Sequence, residues 1–386
     1  MKQVRVSRKG ADRIRSGHLW IFASDVEDRG EAEGGEAVQV VDPRGQQLGV
    51  AHYSAASQIA LRMLSRDARE PDRQFFRRRL ARAIEHRRRV VRDSEAYRLV
   101  FSEGDLLPGL IVDRYGDYLV LQTLNQGMER AKPILTELLV ELLGPRGILE
   151  RNDAQVRQKE QLPLVVSALS GEVPERVWYT MHGLRFQADL VRGQKTGAYL
   201  DQRENYLAVR EYARDKALDC FTATGGFALH LARQCESVEA VDTSELALEL
   251  AEAARKENGL ENVHFRKADV FELLSSYVIA GRRFSLIVLD PPAFARSRSG
   301  LDGAARGYKD INLRALKLLE PGGILVSCSC SQHVSEAMLL EIIAEAALDA
   351  GRTVRVLERR TQSRDHPILL TVPETHYLKC LILEVI

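Results

Sequence analysis

From about residue 180 onward, the sequence alternates short apolar runs with longer amphipathic segments. Short apolar runs are typical of buried strands, and the segments between them have the spacing of helices. The strand-like runs are 217–220, 237–241, 263–267, 284–289 and 323–327. Strands that alternate with helices form a parallel sheet covered by helices on both faces. We therefore predict an α/β protein with a C-terminal, Rossmann-like doubly wound domain over residues 179–386.

Two further modules precede this domain. Strand-like runs at 37–42 and 58–64 are separated by turn sequences, which predicts a small β-rich domain over residues 1–68. Residues 69–178 combine a helical stretch, about 72–91, with further strand-like runs and a second helical pattern. This mixture predicts a small α+β central domain that begins with a basic helix.

The overall charge of +1 names no partner, but arginine is concentrated between residues 62 and 92. In the helical stretch the arginines lie beside an apolar stripe, which favours either a solvated helix face or a nucleic-acid contact. Guanidinium groups pair well with phosphate, so Arg77 and Arg78 are our candidates for RNA binding.

The five cysteines contain no C-x-x-C pair, which argues against a zinc site or a disulfide scaffold. We expect no metal. No apolar run approaches the roughly 18–20 residues of a membrane helix, and the first residues lack the apolar core of a secretory signal. We therefore expect a cytoplasmic protein without a membrane partner.

Residues 218–227 are typical of a strand that ends in a glycine-containing turn before a helix. Glycines at such a turn let a ligand approach the backbone closely. Phe221, Thr224, Gly225 and Gly226 are therefore candidate cofactor contacts. The turn reads T-A-T-G-G-F and lacks the G-x-G-x-x-G pattern, which argues against a dinucleotide.

Acidic residues follow three successive strands: Asp242, Asp269 and Asp290. Any one of them alone fits a helix N-cap, but the carboxyl ends of parallel strands meet at one sheet edge, where ligands bind. Asp242 lies about 20 residues past the first strand, a position where a carboxylate accepts ribose hydroxyls. Ser244, two residues on, is a further candidate. An adenosine-type cofactor without phosphates fits this set.

The order of glycine turn, acidic strand ends and D-P-P resembles class I S-adenosylmethionine-dependent methyltransferases. Upstream, residues 193–203 read G-Q-K-T-G-A-Y-L-D-Q-R, which resembles the signature of RlmI-type 23S ribosomal RNA cytosine-C5 methyltransferases. Segments 17–22, 53–59 and 103–113 agree with the same family. The resemblance covers essentially the whole chain.

This resemblance implies an N-terminal PUA RNA-binding domain, a small central domain and a C-terminal methyltransferase domain. It also implies S-adenosylmethionine as cofactor and large-subunit ribosomal RNA as partner, and it leaves a homodimer open. In this family the signature segment lines the cofactor site. The candidate contacts that it adds are Gln194, Lys195, Thr196, Tyr199, Asp201 and Arg203.

Cys328 and Cys330 lie at the end of a predicted strand, in V-S-C-S-C-S. Residues two apart on a strand point the same way, so we expect both thiols on one side, although free cysteines are often simply buried. Carbon 5 of cytosine becomes nucleophilic when a thiolate adds to carbon 6. In related enzymes the nucleophile lies just past this strand, which favours Cys330 and leaves Cys328 as the alternative.

Asp290 is the candidate to bind the cytosine amine, since carboxylates accept from that group. Pro291, Pro292 and Phe294 are expected to line the base pocket, with Phe294 stacking on a base turned out of its helix. The family reads D-P-P-K-F where this chain has alanine instead of lysine, and the second cysteine of many such enzymes is absent from this region.

The proton-abstracting base is therefore open, with His333 as one candidate. Arg296, Arg298 and Arg306 are either RNA contacts or solvated loop residues. Three other functions remain: methylation of an exocyclic amine or of guanine N7, a non-catalytic RNA-binding assembly factor and, more distantly, a nicotinamide oxidoreductase.

Overall fold

The computed structural model describes residues 1–67, 69–294 and 300–386. The chain divides into two compact units, each built from three stretches of sequence. The first unit comprises Met1–Val177, Leu190–Gly197 and Arg364–Thr375. The second unit comprises Trp178–Asp189, Ala198–Ser363 and His376–Ile386.

The first unit begins with a six-stranded sheet in the order β2-β6-β5-β4-β1-β3. Its elements are β1 (Gln3–Val6), α1 (Arg8–Arg15), β2 (Trp20–Phe22), β3 (Val26–Asp28), β4 (Ala37–Val41), β5 (Gln47–Tyr53) and β6 (Ile59–Ser65). Ser7 caps helix α1, because its hydroxyl accepts the Gly10 N–H. Alternating buried side chains such as Val4 and Val6 pack this sheet onto its own core.

A five-stranded sheet follows in the first unit, in the order β11-β10-β9-β8-β7. Its elements are α2 (Arg73–Val90), β7 (Ala96–Phe101), β8 (Leu110–Tyr115), β9 (Tyr118–Thr123), α3 (Gln126–Leu143), β10 (Gly147–Asn152), α4 (Val156–Lys159) and β11 (Val165–Gly171). The Asp72 carboxylate caps α2 by accepting the Phe75 N–H at 2.7 Å. Buried Phe76 and Leu80 pack α2 into the core that α3 and this sheet share. The predicted basic helix is thus present, with most of its arginines outside the apolar stripe and Arg87 buried within it.

Strands β12 (Arg176–Met181) and β13 (Leu184–Asp189) form a two-stranded sheet. A seven-stranded sheet follows in the second unit, in the order β16-β15-β14-β17-β18-β20-β19. Its strands are β14 (Lys216–Cys220), β15 (Ser237–Asp242), β16 (Val263–Lys267), β17 (Phe284–Leu289), β18 (Leu319–Ser329), β19 (Val354–Arg360) and β20 (Lys379–Val385). The helices of this unit are α5 (Arg203–Arg210), α6 (Gly226–Leu231), α7 (Glu245–Glu257), α8 (Val270–Ile279), α9 (Leu301–Leu318) and α10 (Glu336–Ala350).

The sheet of the second unit is mostly parallel, as predicted, and its order reverses beside β14. Strand β20 is an exception to the parallel prediction, because it runs antiparallel to both β18 and β19. The reason is local: the chain between β19 and β20 contains no crossover helix among the described elements, so β20 returns in the opposite direction. The carboxyl ends of β14, β15, β17 and β18 therefore share one edge, where ligands of such sheets bind.

In the ranges given above, no helix combines the length and the apolarity needed to cross a lipid bilayer.

Candidate active site

The turn after β14 has a strained, left-handed backbone. Phe221 has a φ of 62°, Ala223 of 48° and Gly225 of 81°, values that side-chain-bearing residues rarely adopt. Gly226 then begins α6, and a Cβ atom on it would overlap the Tyr206 ring. The turn is therefore shaped by its neighbours to present backbone at the sheet edge.

Asp219 is a buried carboxylate directly beneath this turn. Its Oδ2 accepts the Thr222 hydroxyl at 2.6 Å and the Ala228 N–H at 2.9 Å, whereas Oδ1 has no hydrogen-bond partner among the described residues. Burial, and then the charges of Asp290 and Asp242, raise the pKa of this carboxyl to about 7, against the opposing effect of the hydrogen bonds. Sequence reasoning missed Asp219, although an acid inside an apolar strand was a visible signal.

Asp242, the last residue of β15, forms a hydrogen bond with the glycine turn that follows β14. Its Oδ2 accepts the Ala223 N–H and its Oδ1 accepts the Ser244 N–H, both at 2.9 Å. Ser244 in turn caps α7 by accepting the Ala247 N–H. Each carboxylate oxygen has a second lone pair, so the half-exposed Asp242 keeps acceptor capacity for ribose hydroxyls.

Asp269 serves as a helix cap. Its exposed carboxylate accepts the Phe271 N–H at 2.8 Å and the Glu272 N–H at 3.1 Å, at the start of α8. The structure thus gives it the alternative role considered from the sequence, and a cofactor contact stays a prediction.

Asp290 follows β17 and is oriented by a buried glutamine. The Gln202 Nε2 donates to Asp290 Oδ2 at 3.0 Å, and the Gln202 Oε1 accepts from Asn205 at 2.6 Å. Sequence reasoning missed Gln202, although it lies in the D-Q-R part of the signature. Because both ends of its amide are bonded, Gln202 holds the Asp290 carboxylate in one orientation.

The residues after Asp290 form a mixed wall. Pro291 is buried and Pro292 is exposed. The half-buried Phe294 packs with ring centroids 5.9 Å from Phe271 and 4.8 Å from Tyr308. Its ring therefore already contacts the core, and a role in base stacking stays a prediction.

The signature segment is divided between the two units. In the second unit, the buried Asp201 accepts the Tyr377 hydroxyl at 2.7 Å, and Arg203 is buried at the start of α5. Burial raises the pKa of Tyr199, and the charges of Asp290 and Cys330, among others, raise it further. Tyr199 therefore lies near two of the candidate catalytic groups.

The other three candidates from the signature belong to the first unit. The Thr196 hydroxyl donates to Asp113 at 2.5 Å and lies 3.2 Å from the Tyr115 hydroxyl, inside the core of that unit. Gln194 and Lys195 are exposed, and Lys195 has a left-handed φ of 53°. Thr196 thus has a structural role in its own unit.

The two candidate thiols differ in environment. Strand β18 ends at Ser329, so the strand alternation that led us to expect both thiols on one side does not extend to Cys330. Cys328 is fully buried opposite Cys380, and burial, with that neighbouring thiol, raises its pKa well above the usual value. Cys330 is partly exposed just past the strand. The burial of Cys328 argues against it as the nucleophile.

His333 and Arg306 are exposed side chains. Arg296 and Arg298 lie outside the described residues.

The arginine-rich segment contains groups with different roles. Arg87 is buried and bonds Asp105 at 2.5 Å and the Asp365 carbonyl at 2.6 Å, which makes it structural. Arg77, predicted to contact RNA, donates to Glu141 at 3.0 Å, so its charge is partly neutralised within the protein. Arg78 is exposed on the helix surface and is the better placed of the two candidates.

Residues 4–66 match the PUA-like domain family, and residues 153–381 match the family of S-adenosylmethionine-dependent methyltransferases. The chain is 44% identical over 379 residues to ribosomal RNA large subunit methyltransferase I of Tolumonas auensis, with 96% of each chain covered. It is 43% identical over 371 residues to the protein of that name from Klebsiella pneumoniae, covering 94% of this chain and 93% of the relative.

A solved structure of a provisionally assigned S-adenosylmethionine-dependent methyltransferase from Streptococcus mutans superposes with a TM-score of 0.86 at 19% identity, covering all of both chains. This likeness supports the fold alone. Together the matches confirm the fold class, the cofactor and the family predicted from the sequence. This chain belongs to the S-adenosylmethionine-dependent methyltransferases, in the family of ribosomal RNA large subunit methyltransferase I.

Proposed function

We propose that this protein transfers a methyl group from S-adenosylmethionine to carbon 5 of a cytosine in 23S ribosomal RNA, with Cys330 as the nucleophile. The proposal depends on the position of Cys330. Its partly exposed thiol lies just past the end of β18, and β18 pairs with β17, the strand that ends directly before Asp290. The relatives named as ribosomal RNA large subunit methyltransferase I support the substrate class.

The residues around the glycine turn fit an adenosine-type methyl donor. When bound, S-adenosylmethionine supplies an electrophilic methyl group. Gly225 takes the left-handed backbone that the turn requires and Gly226 packs directly against the Tyr206 ring, while Asp242 keeps lone pairs for the ribose hydroxyls. Asp242 ends β15 and Asp290 follows β17, the two strands that flank β14 in one sheet, so this edge also suits a positively charged ligand.

The Cys330 thiolate is expected to attack carbon 6 of the cytosine. A sulfur–carbon bond forms, and the electron pair of the 5,6 double bond moves to carbon 5, which can then accept a methyl group. Loss of the carbon 5 proton to a base restores the double bond, the sulfur–carbon bond breaks, and Cys330 leaves as a thiolate. Asp290, held by Gln202, accepts a hydrogen bond from the cytosine amine and so orients the ring.

Exposed arginines on α2 supply a surface for the RNA backbone. Arg78, Arg82 and Arg89 are four and seven positions apart, so they project from one face of the helix. A row of guanidinium groups along a helix pairs well with successive phosphates. The PUA-like match over residues 4–66 adds a second RNA-binding element to the proposal.

The experiment compares Cys330→Ala with Cys328→Ala in methyl transfer to a 23S ribosomal RNA fragment, with the product nucleoside identified by mass spectrometry. We expect 5-methylcytidine from the native protein and from Cys328→Ala. Cys330→Ala is expected to lose about 1000-fold or more, the scale seen when a covalent nucleophile is removed.

A second readout traps the covalent step. RNA with 5-fluorocytidine at the target has no proton to lose from carbon 5, so the sulfur–carbon adduct persists and runs as a denaturant-resistant complex. The complex is expected with Cys328→Ala and not with Cys330→Ala. Undiminished turnover by Cys330→Ala would refute the proposal and indicate methylation of an amine instead, since that chemistry needs no thiol.

Three further expectations belong to this proposal. We expect the protein to act in the cytoplasm. A homodimer is possible in principle, and light scattering of the purified chain would test for it. We also propose domain boundaries near residues 68 and 178.

A further inference from the structure

A buried lysine lies beside the proposed nucleophile. Lys379 is the first residue of β20 and pairs with Ser329, the last residue of β18. The chain continues from Ser329 directly to Cys330. Lys379 is only 4% exposed, which is unusual for a lysine.

The Lys379 ammonium is held by neutral groups. Its Nζ donates to the Ser331 carbonyl at 2.6 Å and to the Tyr377 carbonyl at 2.8 Å. The first of these bonds fixes the backbone one residue beyond Cys330. An ammonium has three N–H donors, so two carbonyl partners leave one donor for another acceptor.

The charge of Lys379 interacts with Cys330. Burial lowers the pKa of Lys379 to about 8, and a negative charge on Cys330 acts in the opposite direction and raises it. Because an electrostatic interaction is mutual, the ammonium favours the Cys330 thiolate to the same extent. A free thiol has a pKa of about 8.5, so at neutral pH it is mostly protonated and a nucleophilic cysteine needs such a neighbour.

Other titratable groups near Cys330 do not take this role. The charges of Cys330 and Asp290 both raise the pKa of Tyr199, which places a carboxylate on the same side. A carboxylate disfavours a thiolate. Cys328, next along β18, is buried and its raised pKa keeps it neutral. Among the residues that the structure describes, Lys379 thus supplies a cation that offsets the carboxylate.

We propose that Lys379 is a positioning residue that holds Cys330 in its thiolate form and fixes the backbone beyond it. The inference rests on the proposed function, in which Cys330 is the nucleophile. It assigns a role to a lysine that lies far along the chain from the cysteine.

The experiment measures alkylation of Cys330 by iodoacetamide as a function of pH, with peptide mass spectrometry to isolate this site. Lys379→Gln is the informative variant, because the glutamine amide can still donate to the two carbonyls while the charge is removed. Lys309→Gln is the matched control: Lys309 lies on α9 of the same unit and pairs with Asp349 at the surface.

We expect the pH of half-maximal alkylation to rise by at least about one unit in Lys379→Gln, equivalent to roughly tenfold slower alkylation at neutral pH. The Lys309→Gln profile is expected to match that of the native protein. A folded Lys379→Gln protein with an unshifted profile would overturn the inference.

Two measurements keep the test decisive. If Lys379→Gln does not fold, the native profile is compared with that of the urea-unfolded chain, and a native midpoint no lower than the unfolded one refutes the proposal. Alkylation requires neither RNA nor methyl donor. The alkylation assay therefore tests the role of Lys379 alone. The methylation assay with Cys330→Ala tests the proposed function, so a failure of one proposal can be distinguished from a failure of the other.

Discussion

Asp219 makes the stability of the second unit depend on pH. The carboxyl is fully buried beneath the glycine turn, and burial, chiefly, raises its pKa from 3.8 to about 7. Replacing Asp219 with asparagine keeps an oxygen that can accept from Thr222 and Ala228 and removes the titrating group. We expect Asp219→Asn to abolish most of this pH dependence.

The magnitude follows from the two pKa values. Between about pH 4 and pH 7 the folded chain keeps the Asp219 proton while the unfolded chain has released it, so the folded state loses stability as the pH rises. Each unit of pKa difference corresponds to about 1.4 kcal/mol, which gives about 4 kcal/mol over this window. Below this window the carboxyl is protonated in both states and its contribution is constant.

Thermal and urea unfolding of the native protein and of Asp219→Asn, measured at several pH values, test this expectation. The free energy of unfolding of the variant should exceed that of the native protein by an amount that increases up to about pH 7 and is then constant. Asp215→Asn removes an exposed carboxylate of the same unit and serves as control. Parallel pH profiles for the native protein and Asp219→Asn would refute the reasoning.

Three other perturbations have defined outcomes. Gly226→Ala places a methyl group against the tyrosine ring packed on it, so we expect a loss of about 1–3 kcal/mol in unfolding free energy and weaker donor binding by calorimetry. The double variant Arg78→Gln with Arg82→Gln should reduce the salt slope of RNA affinity by about two. The ion-paired Arg73→Gln should change that slope less, and equal changes would contradict the assignment. Cys328→Ala should keep methyl transfer and lose about 1 kcal/mol of stability from the small cavity; loss of transfer in a folded variant would return Cys328 to the mechanism.

The architecture of the second unit could be read from the sequence because its strands are buried on both faces. Mostly apolar runs such as Phe284–Leu289 coincide with observed strands, and the acids at their ends mark the sheet edge. The place of β20 was harder to predict, because this last strand inserts between β18 and β19. That information is in the packing of the whole sheet, not in the local pattern.

In the candidate site, too, some residues could be predicted from local sequence patterns and others depend on packing between distant parts of the chain. The residues in the glycine turn and after the strand ends were visible as motifs, whereas Gln202 and Lys379 act through partners far away in the sequence. Arg77 was visible in the local sequence, because its position in an arginine-rich run indicated RNA binding. In the structure, however, Arg77 on α2 forms an ion pair with Glu141 on the neighbouring helix α3. Local composition does not reveal which charges a fold neutralises internally.

The concentration of acidic groups at the carboxyl edge of the sheet is explained by the cationic ligand that we expect to bind there. Burial and the charges of Asp290 and Asp242 disfavour the ionised form of the Asp219 carboxyl. In the protein without ligands, these acidic groups are therefore concentrated at a single edge of the sheet. A sulfonium donor carries the opposite charge, and the lysine beside Cys330 offsets the carboxylates on the nucleophile's side. The same carboxylates that reduce the stability of the free protein therefore favour a cationic donor. A fold selected for stability alone would have neutralised this edge internally, as it does Arg87 in the first unit.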